Sequence, residues 1–266
     1  MRTPGWLLGS LLCAMVLAPA AAQNVDLDPL DLPVLPPDHP TRMAIPGKGQ
    51  LPEPPPQARG GHEITVQPGP PTFFGEVIPV GDDGTLVYVL DYSSSMGVVG
   101  ERVDFQTTIS RWDVVVREAR RSVSGLAPTL RFGMVVFGTN GGCGVAVWQP
   151  ELVRATRDNK ASALAWLTQF TDAMVYGGAT PTAPAVVQAL AFLSEVIVLL
   201  TDGQPSPCGL TGYPHISHRE RIRQANEHGT RIDVYGVGLP DQYAEEFARG
   251  VASDSSGTFV ELRGSP

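Results

Sequence analysis

Lysine is nearly absent from these 266 residues, with only Lys48 and Lys160, and the formal charge is -8. Nucleic-acid recognition neutralises phosphates with clustered Lys and Arg, and no basic patch is visible, so DNA and RNA are excluded as partners. Long apolar runs are missing as well: nothing reaches the ~18 consecutive apolar residues that a membrane helix needs. No G-x-S-x-G surrounds the serines at 93–95, which removes the usual setting of a hydrolase serine. Cysteine is scarce, with three residues, Cys13, Cys143 and Cys208. No internal repeat is present.

What is there begins with an export signal. Arg2 is the only early charge, residues 7–17 are mostly apolar, and Ala20-Ala21-Ala22 forms a small-residue cleavage site before Gln23. Residues 1–22 therefore read as a secretory signal peptide, and the mature chain is expected to be secreted or periplasmic. Acylation of Cys13 is the weaker reading, because Leu12 stands where a small residue normally precedes a lipidated cysteine. Cleavage leaves Cys143 and Cys208 in an oxidising compartment, where one bridge between them is the economical expectation.

Residues 23–71 are dense in proline, with Pro36-Pro37, Pro54-Pro55-Pro56 and Pro70-Pro71, and poor in periodic aliphatic residues. Such a composition cannot bury enough surface to offset ordering entropy, so an extended tether is expected. Phe73, Phe74, Val77 and Ile78 in the stretch 72–84 suggest an edge segment leading into a folded domain at 72–266.

From Thr85 onward, strand and helix patterns alternate. Strands are expected at 86–90, 131–137, 145–148, 195–200, 232–237 and 258–262. Helices are expected at 111–126, 158–170, 181–193, 217–228 and 243–252. Trp112, Val115, Val116, Ala119 and Val123 share one face of the first helix, and Ala161, Leu164, Ala165 and Leu167 are placed inward on the second. Trp148 and Trp166 are assigned to the core, and Asp113 and Glu118 to the surface. About six strands alternating with helices predict an α/β domain, a doubly wound (Rossmann-like), mostly parallel sheet with helices on both faces.

Ligands of such sheets bind beyond the carboxyl ends of the strands, near the point where strand order reverses. The first strand ends in Asp91-Tyr92-Ser93-Ser94-Ser95, a later one in Thr201-Asp202-Gly203, and Gly177-Gly178-Ala179-Thr180-Pro181 precedes a helix. Hydroxyl and carboxylate oxygens suit a small hard cation, and Mg²⁺ binds six oxygens while keeping several waters. Ser93, Ser95 and Thr180 would be neutral direct ligands, with Asp91 and Asp202 acting through water and through hydrogen bonds to the hydroxyls. A metal so held keeps residual positive charge for an outside carboxylate.

These segments, LDYSSSM, GGATPT and LLTDGQP, closely resemble the three parts of the metal-ion-dependent adhesion site of von Willebrand factor type A domains. The likeness runs over residues 84–263, through RWDVVVREARRSV, RIDVYGVG and SGTFVEL. It implies that Asp91, Ser93, Ser95, Thr180 and Asp202 form a site for Mg²⁺, or another divalent cation such as Mn²⁺ or Ca²⁺. It also implies a protein partner that lends an acidic side chain, and no catalysis. Ser94 stands where glycine is common in that family, and residues 98–110 lengthen the path from the metal loop to the first helix. The turn from Leu193 to Val196 reads as unusually short.

Four expectations compete with or qualify this one. Inferred strand order leaves one strand, roughly 10 Å, between the cysteine-bearing loops, so a bridge requires them to arch together and would pin the rim of the site. His215 and His218 have an H-x-x-H spacing, but no further zinc ligands cluster nearby, and a solvated helix start is the simpler reading. A Mg²⁺-dependent phosphohydrolase with Asp91 as nucleophile wants a second acid where Ser93 stands, and a lysine where the domain has only Lys160. An envelope assembly component with a vestigial site differs from the adhesion reading only in whether metal matters.

Overall fold

The structure, a computed structural model, describes residues 70–262 apart from 105, 106, 172 and 204. The signal peptide, Cys13 and the tether up to residue 69 lie outside the described residues. In chain order the elements are β1 (Thr72–Phe73), β2 (Glu76–Val77), β3 (Thr85–Asp91), β4 (Val99–Asp104), β5 (Thr107–Ser110) and α1 (Arg111–Gly125). Then come β6 (Arg131–Thr139), β7 (Gly144–Val147), β8 (Val153–Arg154), α2 (Arg157–Leu167), α3 (Ala173–Tyr176) and α4 (Thr182–Leu190). The chain closes with β9 (Val196–Thr201), α5 (Pro214–Ala225), β10 (Arg231–Val237), α6 (Gln242–Asp254) and β11 (Phe259–Leu262).

The main sheet runs β11-β10-β9-β3-β6-β7, with β8 against the start of β6. Its first five strands are parallel; β7 and β8 pair with β6 antiparallel. The sheet thus has seven strands, and the seventh, β8, is a two-residue addition to the expected six. The order reverses beside β3: the chain goes first to β6 on one side, then returns to β9 on the other. That switch opens a crevice at the carboxyl ends of β3 and β9.

The continuous apolar run of β3 follows from its central place, since helices cover both faces and every position from Leu86 to Asp91 is buried. Leu86, Tyr88 and Leu90 pack with Trp112, Val115, Ala119 and Val123 of α1. Val87 and Val89 pack on the other side with Ala185, Val186 and Ala189 of α4 and Phe247 of α6. α1 begins where expected because Ser110 and Asp113 form a capping box, each side chain accepting from the other's backbone N–H.

Several local expectations change. Residues 72–77 form a separate hairpin and not an edge of the main sheet. Its Phe73 is fully buried, with ring centroids 5.7 Å from Tyr88 and 4.9 Å from Tyr235. The hairpin also explains Glu118, expected at the surface but buried, because its Oε1 accepts a hydrogen bond from Phe74 N at 2.6 Å. The longer connection between the loop after β3 and the first helix is a second hairpin, β4–β5.

In α2 the inward residues are Ala163 and Leu167, with Leu164 half-buried, while Ala161 and Ala165 are exposed. Trp148 and Trp166 are half-buried on the core's margin, the former stacked on Phe132 at 5.2 Å. α4 ends at Leu190, earlier than expected, so the path to β9 is not especially short; Leu193 turns the chain there with a φ of 55°.

Candidate metal centre

Asp91 is the last residue of β3 and is fully buried. Both its oxygens are engaged: Oδ1 accepts from Ser93 N at 2.8 Å, and Oδ2 from the Thr201 hydroxyl at 2.7 Å. The Thr201 oxygen in turn accepts from Gly203 N at 3.0 Å. Asp91 therefore ties the loop after β3 to the loop after β9. Ser93 Oγ and Ser95 Oγ lie 3.1 Å apart on a tight 3-10 turn at Ser94–Gly97, with Ser93 buried and Ser95 half-buried. Ser94, between them, is exposed, and only its backbone contributes, donating from N to Gly178 O at 3.0 Å.

Thr180 is buried at the entrance to α4. Its N–H donates to Ser206 Oγ at 3.1 Å, and its carbonyl accepts from Ser206 N at 3.0 Å. The preceding residues are gripped from the other side: Gly178 N donates to Gly138 O at 2.7 Å, and Ala179 N to Gly142 O at 3.1 Å. Gly178 is required by this closeness, since a Cβ there would stand 2.1 Å from Gly142 N. Gly138 adopts a φ of 81°, and a Cβ there would meet Ser93 N at 2.7 Å, so the end of β6 is a wall against which the loop after β3 is laid.

Cys143 and Cys208 are joined, with Cα atoms 5.7 Å apart. Their loops belong to β6–β7 and to the segment after β9, so they do arch over β3, as the bridge required. Each cysteine sits within two residues of a group that holds the Thr180 loop, Gly142 on one side and Ser206 on the other.

Asp202, just past β9, is buried, and its Oδ2 pairs with Arg111 Nη1 at 3.4 Å. Two carboxylates in one water-poor crevice repel each other. The Asp91 carboxyl is accordingly pushed up to about 7, first by burial and then by the charge of Asp202, against the lowering effect of its Ser93 and Thr201 hydrogen bonds. Concentrated negative charge beside neutral hydroxyls fits a small divalent cation, which would relieve the repulsion. Among the described residues no cluster of three or more His, Cys, Asp or Glu occurs.

The structure thus brings all five expected residues to one edge of the sheet. It adds Thr201, Ser206, Gly138 and Arg111. Thr201 was within reach of the sequence as part of T-D-G; the other three carry no local signal, because their roles depend on loops from separate strands. His218 departs from its solvated reading. It is fully buried, and its Nδ1 accepts from Ala183 N at 3.0 Å, so it buttresses the start of α4, with burial lowering its pKa.

No protein-family model matches the chain, and no curated protein matches it. Among solved structures it is similar to a von Willebrand factor type A protein from Catenulispora acidiphila, at 18% identity and a TM-score of 0.51, over 68% of this chain and 38% of that one. It is also similar to the pilus adhesin SpaC from Lactobacillus rhamnosus GG, at 16% identity and a TM-score of 0.53, over 73% of this chain and 29% of that one. The chain spans about a third of the length of these two structures. The likeness shows a von Willebrand factor type A-like fold.

Proposed function

We propose that the domain binds a divalent cation, Mg²⁺ first and Mn²⁺ or Ca²⁺ as alternatives, and engages a protein partner through it outside the cytoplasm, without catalysis. Ser93, Ser95 and Thr180 would hold the ion directly, with Asp91 and Asp202 behind them. The bound ion would supply a Lewis-acidic position that takes a partner's carboxylate. The observation that carries this reading is the buried Asp91–Asp202 pair set beside the Ser93 and Ser95 hydroxyls at the switch point of the sheet.

Two further features support it. Val98, Val175, Tyr176, Tyr213, Ile216 and Tyr243 are large exposed apolar residues, in loops, at the end of the short α3 or in the first turns of α5 and α6 at this same edge, as a protein-binding rim would use. Against an Asp91 nucleophile, both carboxylate oxygens are hydrogen-bonded and shut away from solvent. Export and the adhesion role come to this chain from its N-terminal pattern and from the fold it shares with a pilus adhesin, and they belong to the proposal.

The test is calorimetric titration of Mg²⁺, Mn²⁺ and Ca²⁺ into EDTA-stripped protein and into Thr180→Ala. Saturable binding by the wild type, lost in a folded variant, supports the site. Absence of binding by the wild type overturns it.

A further inference from the structure

The helix that follows Thr180 has no cap of its own. Pro181 stands at the N-cap of α4 with a side chain that cannot accept a hydrogen bond, and neither Pro181 nor Pro184 has an N–H to satisfy. Thr182 N closes onto Thr180 O at 2.9 Å, and Ala185 N onto Pro181 O at 3.1 Å. That leaves the N–H of Ala183, a fully buried residue, and it donates to His218 Nδ1 at 3.0 Å, on α5 and 35 residues further along the chain. An N-cap side chain accepts from the second or third residue of its helix, and Ala183 is the second of α4. The imidazole therefore does from another helix what a serine or aspartate at 181 would do locally.

His218 also borders the segment that clasps Thr180. Burial lowers its pKa, and the Pro207 and Ser206 backbones act against that lowering. Ser206 is the residue that holds Thr180 through both its N and its Oγ. Accepting from an N–H requires that Nδ1 carry no proton, which burial favours by keeping the ring neutral. Resting on the metal reading above, we infer that His218 is a positioning residue of the site: its Nδ1 caps α4 from outside and thereby holds the Thr180 hydroxyl in register with Ser93 and Ser95. Without the cap the first turn of α4 is free to unwind, and Thr180 goes with it, because the Thr182 N to Thr180 O bond belongs to that turn. The requirement is for an acceptor at one place and not for bulk.

The experiment uses the full chain as wild type, His218→Leu and His218→Asn, since an asparagine Oδ1 can stand where Nδ1 does, while leucine fills the space without an acceptor. In the wild type, NMR of the imidazole nitrogens reads His218 Nδ1 as unprotonated, and Mg²⁺ slows hydrogen exchange of the Ala183 amide. Calorimetry gives Mg²⁺ binding about tenfold weaker in His218→Leu, the worth of one hydrogen bond, and within about threefold of wild type in His218→Asn. Asparagine leaves more empty space than leucine, so an affinity that followed packing alone would be the weaker in His218→Asn. A protonated Nδ1, an Ala183 amide indifferent to Mg²⁺, equal affinity in wild type and His218→Leu, or His218→Asn binding no better than His218→Leu overturns the inference while metal binding stands. Should either variant fail to fold, the wild-type spectra decide by themselves. Failure of the wild type to bind Mg²⁺ at all overturns the metal reading, and this inference with it.

Discussion

Asp91 and Thr201 are joined by a 2.7 Å hydrogen bond between the ends of β3 and β9, two residues 110 apart in sequence. This bond fixes the crevice at the strand switch, because it holds the carboxylate beneath the serines while the next residue, Asp202, faces the same space. Thr201→Val keeps the shape and removes the donor to a buried carboxylate, so it should destabilise the protein by about 1–3 kcal/mol. Thr201→Ser should recover most of that loss. Urea unfolding of the two variants checks the contrast, and equal stability of both would mean the bond contributes nothing.

Metal binding should depend on pH with a definite sign. Asp91 is raised in the folded, metal-free protein from 3.8 to about 7. Its protonation therefore favours the folded state fully below the lower value, and that contribution is lost as pH rises through the upper one. A cation competes with this proton and relieves the repulsion only when both carboxylates are ionised. The rise in Tm on adding Mg²⁺ should accordingly be larger at about pH 8 than at about pH 5.5. A rise independent of pH would place the ion away from Asp91.

The bridge between Cys143 and Cys208 closes a loop with a sequence separation of 65 and flanks both grips on the Thr180 loop. Replacing both cysteines by serine should cost about 2–4 kcal/mol and weaken Mg²⁺ binding as well. Peptide mapping of the oxidised protein should recover the two cysteines in one linked fragment. Two free thiols there would contradict the bridge.

Ser94 and Ser95 are neighbours with opposite expectations. Ser94 is exposed and bonds only through its backbone, so Ser94→Gly should change stability by no more than about 0.5 kcal/mol and leave metal affinity alone. Ser95→Ala removes a hydroxyl 3.1 Å from Ser93 Oγ and should weaken the metal strongly. Calorimetry on the pair gives the answer, and similar losses in both would mean that the side-chain assignment within the turn is misplaced.

How much was legible in the sequence varies with the range of the forces involved. The strand at 85–91 could be read because a position buried on both faces must be apolar whatever its neighbours are, and the first helix because Ser110 and Asp113 cap it locally. Ala161 and Ala165 were misplaced because alanine fits either face of a helix, and it is Ala163 and Leu167 that join the buried cluster shared with α1. Glu118 and His218 looked like surface groups for a related reason. A polar residue is buried when a distant backbone group, here Phe74 N or Ala183 N, satisfies it, and neither partner is near in sequence.

The sequence by itself determined the α/β alternation and pointed to the five candidate residues of the proposed site, since strand-end chemistry is written in consecutive letters: D-Y-S-S-S, G-G-A-T and T-D-G. Only the tertiary structure decided that Arg111 meets Asp202, that Gly138 backs Ser93, and that the two cysteine loops arch over β3 to meet. Those contacts join loops from strands that are neighbours in the sheet but far apart along the chain. Their geometry is set by the strand order and by close packing at the carboxyl edge, and no local pattern of residues encodes either.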